Sequence, residues 1–270
     1  MLVLIEQTNL CSLRCVSCPS KLIQRPRGVM LAEDFRRIVD QLQGLEHERV
    51  ALHGFGDVFL NPDFFENLAY LESRGFNRVD FSSNGLLLTE KRVNDLCKFN
   101  CLRFVSISLN SSNKEQMKKI NTGSDFEMVV ENIKLLIASR PPFELHIQHM
   151  VYEETKEETR EDFVKVLGSE EFILCQKKLH NFAGQVKDGL TNLGLVDCGL
   201  EFAALPMMHW DGDLIGCCGD DTKRQIYGNA LRDGIFSVKV LQKRDLLRRA
   251  LKNNNYSELS LCRECINGQT

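Results

Sequence analysis

Apolar residues along this chain repeat with two alternating periods. Short runs rich in branched and aromatic residues, at 2–7, 49–53, 78–82, 103–109, 144–151 and 172–179, read as strands. Residues 31–42, 64–73, 90–98, 126–138 and 159–167 instead carry apolar positions at helical spacing, as in Phe35, Ile38, Val39 and Leu42. Strands that alternate with helices predict βα units on a parallel sheet, an α/β fold of six repeats. In such folds ligands sit beyond the carboxyl ends of the strands, so chemistry is sought in the residues just after each strand.

The end of the first strand carries the strongest chemical signal. Cys11, Cys15 and Cys18 stand in Cys-x3-Cys-x2-Cys within CSLRCVSCPS. A four-iron, four-sulfur cluster protects all its irons with four thiolates, so a compact run of three leaves one iron open to another ligand. Zinc and disulfides are the alternatives. A zinc site wants four ligands, which this run alone does not supply. Disulfides suit short secreted chains, whereas this chain has 270 residues and an odd count of 11 cysteines. Its start, MLVLIEQTNL, lacks the basic segment and cleavage site of a signal peptide, which points to a reducing cytoplasm.

Composition narrows the class further. The chain is 43% hydrophobic and 26% charged, with no apolar run of membrane-spanning length, which predicts one large core with a small appended module and no membrane partner. Thirty-four basic against 37 acidic residues leave no global footprint for nucleic acid.

The cysteine spacing and its place after the first strand resemble the radical S-adenosylmethionine (SAM) superfamily. The resemblance implies a partial (β/α)6 TIM-like barrel, a [4Fe-4S] cluster held by Cys11, Cys15 and Cys18, and S-adenosyl-L-methionine chelated to the open iron. Many members carry an aromatic residue just before the third cysteine, where this chain has Ser17. After the second strand, LHGFGDVFLNP sets Phe55, Gly56 and Asp57 in register with the family's Gly-Gly-Glu segment, which binds the amino group of SAM. Gly54 and Gly56 admit close backbone approach to a ligand, and Asp57 is expected to accept from an ammonium. The third strand ends in Ser83 and Asn84, and the fourth in Ser108 and Asn110, which match a Ser-x-Asp pattern with asparagine in place of the acid. A carboxylate-binding arginine common among relatives is missing from 120–123.

A second cysteine set lies in the last third: Cys198, then Cys217 and Cys218 behind Asp211-Gly212, then Cys262 and Cys265. Asp-Gly is a strong hairpin signal. Four separated cysteines suit either a structural zinc site or a cluster. The pattern resembles a shortened SPASM domain of the "twitch" type, which implies one auxiliary [4Fe-4S] cluster on Cys198, Cys217, Cys262 and Cys265, with Cys218 as the alternative to Cys217. The expected domains are 1–180 for the barrel and 181–270 for the auxiliary module.

The resemblance implies an oxidoreductase. A 5'-deoxyadenosyl radical removes a hydrogen atom from substrate, the auxiliary cluster accepts an electron, and a flavodoxin or ferredoxin acts as reductant. The short chain and single auxiliary site resemble the superfamily's aminocyclitol dehydrogenases of the butirosin pathway, so the expected reaction is oxidation of a secondary alcohol on a sugar or aminocyclitol. Peptide crosslinking or epimerisation, and sugar epimerisation, are the alternatives, with a nonenzymatic metal-binding module behind them. His149, His180, His209 and Asp211 are candidate general bases, and Cys218 a candidate hydrogen-atom donor.

Overall fold

A computed structural model describes residues 2–178, 206–220, 222–223, 225–253, 255, 257, 259 and 261–263. Six parallel strands run through its first two thirds: β1 (Leu2–Ile5), β2 (Arg49–Leu52), β3 (Val79–Ser83), β4 (Leu102–Asn110), β5 (Glu144–Val151) and β6 (Ile173–Lys178). Helices α1 (Ala32–Asp40), α2 (Phe64–Ser73), α3 (Glu90–Leu96), α4 (Lys114–Ile120), α5 (Phe126–Ala138) and α6 (Arg160–Leu167) fill the connections. The result is the expected α/β architecture, an open partial barrel. Among the described residues no helix is long and apolar enough to cross a membrane.

Alternation along each strand separates two environments. On β4, Val105, Ile107 and Leu109 are fully buried toward the helices, as is Ile147 on β5. Ser108, Gln148 and Met150 face the concave side. Aromatic packing closes the helix side: Phe81 of β3 meets Phe64 of α2 edge-on at 5.0 Å and Phe59 at 5.8 Å between ring centroids.

Local signals set the helix ends. The Asp125 carboxylate accepts the Met128 amide at the start of α5, and α6 opens with a Thr159/Asp162 capping box and closes at Gly168, whose φ is 68°. Helix α4 was not legible as a periodic segment: it has two turns, with Met117 and Ile120 buried. Strand β1 ends at Ile5 rather than residue 7, because Glu6 turns inward to Arg25.

The sheet continues past β1. β7 (Met207–Met208) pairs parallel with β1, and β8 (Asp213–Ile215) and β9 (Ile226–Asn229) follow antiparallel, giving the order β6-β5-β4-β3-β2-β1-β7-β8-β9. The hairpin read from Asp211-Gly212 joins β7 to β8, with Gly212 at φ 81°. Helix α7 (Val238–Lys252) covers β9, and Met208, Leu214, Tyr227 and Val240 belong to the same hydrophobic cluster as Val3 and Phe35. Gln41, just past α1, ties this extension on: it donates to the Ala230 carbonyl at 3.0 Å and accepts from the Ile235 amide at 2.9 Å. The expected boundary between residues 180 and 181 lies outside the described residues.

Replacing Phe81 with alanine removes the ring on which Phe59 and Phe64 converge. The expected loss is about 3–5 kcal/mol of stability, read from the midpoint of urea unfolding.

Candidate active site

The carboxyl ends of the parallel strands enclose a cavity of about 560 Å³. Cys11, Cys15, Ser17 and Cys18 line it from the loop after β1, Gly54, Phe55, Gly56 and Asp57 from the loop after β2, Ser83 and Asn84 from the end of β3, and Ser108 and Asn110 from β4. Every position read from sequence as a first-cluster or SAM contact therefore meets in one place.

The cysteine loop is pinned on two sides. The Asp57 amide donates to the Leu10 carbonyl at 2.8 Å, and the Arg14 and Val16 amides donate to the carbonyls of Thr122 and Ile120 at 2.9 and 3.0 Å. The Leu13 and Ser20 amides point at the sulfurs of Cys11 and Cys18, each at 3.4 Å. Burial pushes the Cys15 thiol up to about 12, with Cys18 and Cys11 adding to the shift, and burial also raises Cys11. Such a loop resists three bare thiolates, whereas a bound metal centre deprotonates its thiols and balances their charge. Among the described residues no three His, Cys, Asp or Glu side chains converge on a position for one metal ion. In a cubane each cysteine meets a different iron, so convergence is not required of this loop.

The glycines after β2 serve the loop's packing. A Cβ on Gly54 would lie 2.3 Å from Glu6 Cγ, and one on Gly56 would lie 2.3 Å from the Thr8 carbonyl oxygen and 2.5 Å from that of Leu10. The expected reason, close approach to a ligand, is thus joined by a second one: the Glu6 side chain occupies the space beside Gly54, and the backbone leading into the cysteine loop the space beside Gly56. Glu6, which the strand reading passed over, is 1% exposed, pairs with Arg25 at 2.7 Å and accepts the amides of Phe55 at 3.1 Å and Trp210 at 3.2 Å. Asp57 is also more occupied than expected. Its carboxylate accepts the Phe59 amide at 3.1 Å and the Ser83 hydroxyl and Asn84 amide, both at 2.8 Å, leaving about one of its four acceptor positions. Burial raises its pKa in spite of those bonds.

On the far wall, Asn110 has a left-handed backbone at φ 68°. Its Nδ2 donates to Asn121 Oδ1 at 2.7 Å, and its Oδ1 is buried without a partner, an acceptor in want of a donor. Asn121 in turn donates to the Ser108 carbonyl at 2.8 Å and accepts from the Cys15 thiol at 3.7 Å. It stands where the expected arginine is missing. Gln148, Met150, Gln176 and Lys177 of β5 and β6 complete this wall and were not singled out from sequence. Gln148 and Lys177 carried a signal, as polar residues in the concave-facing register of the last strands.

A family model described as "Radical SAM superfamily" matches residues 5–167, more than half of the chain. The chain belongs to the radical SAM superfamily. Among curated relatives, mycofactocin maturase MftC of Mycobacterium tuberculosis is 29% identical over 134 residues, 50% of this chain and 34% of MftC. The chain spans only about a third to a half of the length of the first curated relatives it matches. Two crystal structures share the fold: BtrN in complex with AdoMet and 2-DOIA (TM-score 0.64, 17% identity, 100% of this chain and 94% of BtrN), and Streptococcus suis SuiB bound to precursor peptide SuiA (0.72, 14%, 93% and 66%).

A radical SAM enzyme carries a [4Fe-4S] cluster and SAM, and this cavity fits both. Three thiols from one loop, amides aimed at two of the sulfurs and the orphaned Asn110 oxygen are donors and acceptors waiting for a ligand.

The proposed general bases fare differently. His149 lies on the helix side of β5, fully buried, with Nε2 3.0 Å from the Thr155 carbonyl and its ring against Phe163, so it does not face the radical SAM cavity. Asp211 is paired at 2.5 Å with Lys223, which holds its carboxyl below the ordinary range despite burial. That pair braces the hairpin, and Asp211 does not line the cavity. His209 is buried with both ring nitrogens unpartnered, its pKa pushed down by burial, and does not line the cavity. His180 lies outside the described residues.

Of the second cysteine set, Cys198 and Cys265 also lie outside the described residues. Cys217 is half-buried and accepts the Gly219 amide at 3.3 Å, whereas Cys218 is exposed. Cys262 accepts Gln225 Nε2 at 3.3 Å; burial, then Gln225, and the nearby Cys217 act on its pKa, which is raised overall.

Glu6→Gln leaves Arg25 buried without its counter-charge and should cost about 3–5 kcal/mol in urea unfolding. Gly54→Ala, which drives a methyl into the same carboxylate, should lower both stability and the iron retained after anaerobic reconstitution. A Gly54→Ala protein with unchanged iron content and unfolding midpoint would show that the contact is slack.

Proposed function

We propose that this radical SAM enzyme oxidises a secondary alcohol of a sugar or aminocyclitol, with Cys11, Cys15 and Cys18 holding the SAM cluster and Cys198, Cys217, Cys262 and Cys265 an auxiliary [4Fe-4S] cluster that takes the electron. The observation that carries the reading is the cavity wall on β4 to β6, where Ser108, Gln148, Gln176 and Lys177 offer hydroxyl, amide and ammonium groups suited to a small, hydroxyl-rich substrate. The likeness in fold to BtrN, over nearly the whole of both chains, supports it.

When bound, the cluster with SAM supplies a 5'-deoxyadenosyl radical that removes a hydrogen atom from an unactivated carbon. The chain's own residues bind and orient. The free acceptor position of Asp57 and the backbone of 54–56 would hold the SAM ammonium, Ser83 and Asn84 fix Asp57 by their bonds to its carboxylate, and Ser108 and Asn110 would hold the nucleoside part. Ser17 edges the cavity beside the third cysteine. The unpartnered Asn110 oxygen is an acceptor for a hydroxyl or amine. Holding the target carbon close to the radical is where the binding contacts act on rate. The electron donor is proposed as a flavodoxin or ferredoxin in the cytoplasm.

A second reading, modification of a peptide, has its own support in the sequence likeness to MftC, a maturase, and in the fold shared with SuiB, which binds a precursor peptide. Anaerobic reconstitution followed by dithionite and SAM tests both. The expected outcome is about eight irons per chain, 5'-deoxyadenosine, and a ketone product from a panel of inositols, aminocyclitols and sugars. Cys15→Ala should abolish 5'-deoxyadenosine, whereas Cys262→Ala should retain uncoupled cleavage and lose the ketone. About four irons, or turnover of peptides alone, would reject the dehydrogenase reading.

A further inference from the structure

Below the cavity the concave face of the sheet is charged, where barrel interiors are ordinarily packed with branched apolar residues. Arg49 on β2 and Asp80 on β3 form a two-pronged ion pair, Nε to Oδ2 at 2.5 Å and Nη2 to Oδ1 at 2.9 Å, and Asp80 is fully buried. His53, the residue after β2, sets Nε2 2.7 Å from Asp80 Oδ1 and Nδ1 2.8 Å from Ser82 Oγ. Of these four residues only Ser82 lines the cavity. The facing strands add Lys177 on β6, whose charge acts on Arg49 and Asp80, and on β5 His146, stacked on Phe104 at 4.3 Å and bonded to Glu144 at 3.1 Å.

Hydrogen-bonding roles follow from charge. Burial raises the Asp80 carboxyl, but the bonds from Arg49 and His53 outweigh it and hold the pKa below the ordinary range, so Asp80 is an anion that only accepts. His53 Nε2 therefore carries a hydrogen. In the neutral ring Nδ1 then presents a lone pair, and the Ser82 hydroxyl donates to it. The second short bond thus runs from the cavity wall into a base oriented by a buried carboxylate.

We infer that Ser82, His53 and Asp80 form a proton relay that takes the hydroxyl proton of a substrate bound in the cavity, with Arg49 positioning Asp80. The substrate O–H proton passes to Ser82 Oγ as the Ser82 proton passes to His53 Nδ1, leaving a substrate alkoxide and an imidazolium that faces Asp80. No electron moves through these side chains; the carbon-bound hydrogen atom would leave to the 5'-deoxyadenosyl radical and the one remaining electron to the iron-sulfur acceptor, which turns the alkoxide into the ketone. The order Ser-His-Asp is also that of acyl-transfer enzymes. Here, however, Ser82 sits inside β3, which is paired on both sides, so its neighbouring amides serve the sheet and are not aimed at an oxyanion. The relay rests on the proposed alcohol oxidation, for which it supplies the base that His149 and Asp211 do not.

Nitrogen-15 NMR of histidine-labelled protein as isolated, with His53→Gln for assignment, reads the relay without any cofactor. The expected result is a His53 ring with an acceptor-type Nδ1 and a protonated Nε2. A ring protonated on both nitrogens at the pH of turnover would overturn the proposal, because it has no lone pair to accept a proton. In reconstituted enzyme, the ratio of ketone to 5'-deoxyadenosine should fall about 10²- to 10⁴-fold in Ser82→Ala and recover in Ser82→Thr. A wild-type ratio in a folded Ser82→Ala protein would refute the relay. Wild-type enzyme that forms no 5'-deoxyadenosine would instead refute the proposed function, and the NMR result would still decide the relay.

Discussion

The carboxylate of Glu6 is the interaction on which the site's architecture depends. It is buried at the end of β1 and bonds Arg25 from the far side of the cysteine loop, the Phe55 amide after β2 and the Trp210 amide in the hairpin after β7. Four segments distant in sequence converge on two oxygen atoms. Burying that charge is unfavourable unless every partner is present, so the pair favours the single arrangement in which the barrel mouth, the cysteine loop and the hairpin are assembled together. Trp210 reinforces this: its ring occupies the space that a Cβ on Gly28 would need, at 2.5 Å.

A second constraint comes from the strands' concave face. Their helix side is an ordinary apolar core, but the inner side carries two hydrogen-bonded groups: Arg49, Asp80, His53 and Ser82, in which His53 bonds both Ser82 and Asp80, and Ser106 and Gln148, in which Gln148 donates to Ser106 at 2.8 Å. In a low-dielectric interior a fully satisfied network is rigid, and a partly satisfied one is costly. Both groups reach the cavity wall, in Ser82 and in Gln148, and the Asn110 oxygen beside them has no partner.

The extension beyond β1 has no independent core among the described residues. Its strands add to the barrel's edge and its helix shares the same hydrophobic cluster. Covering that edge protects the backbone groups of β1, the strand that carries the cysteine loop. The same extension brings Cys217 and Cys262 toward each other, on the opposite flank of β1 from the cavity wall of β4 to β6.

By itself the sequence determined the βα alternation, the three-cysteine loop, the strand-end segments and the Asp-Gly hairpin, because each is a local pattern: a period, a spacing or a turn residue acts within a few neighbours. It did not reveal α4, whose two turns are too short to show a period, nor the roles of Glu6, Asn121, Gln148 and Lys177, whose partners lie in other elements. Only the tertiary structure decided which face each strand residue takes. It sent His149 to the helices and His53 to the concave side, although both read as histidines on apolar strands, because that choice depends on register and on what the neighbouring strand presents. It likewise decided that Gly54 makes room for Glu6 and Gly56 for the chain entering the cysteine loop, and that Asp57 is largely spent on Ser83, Asn84 and Phe59. Hydrogen bonding and burial join residues far apart in the chain, and their balance is settled when the elements pack.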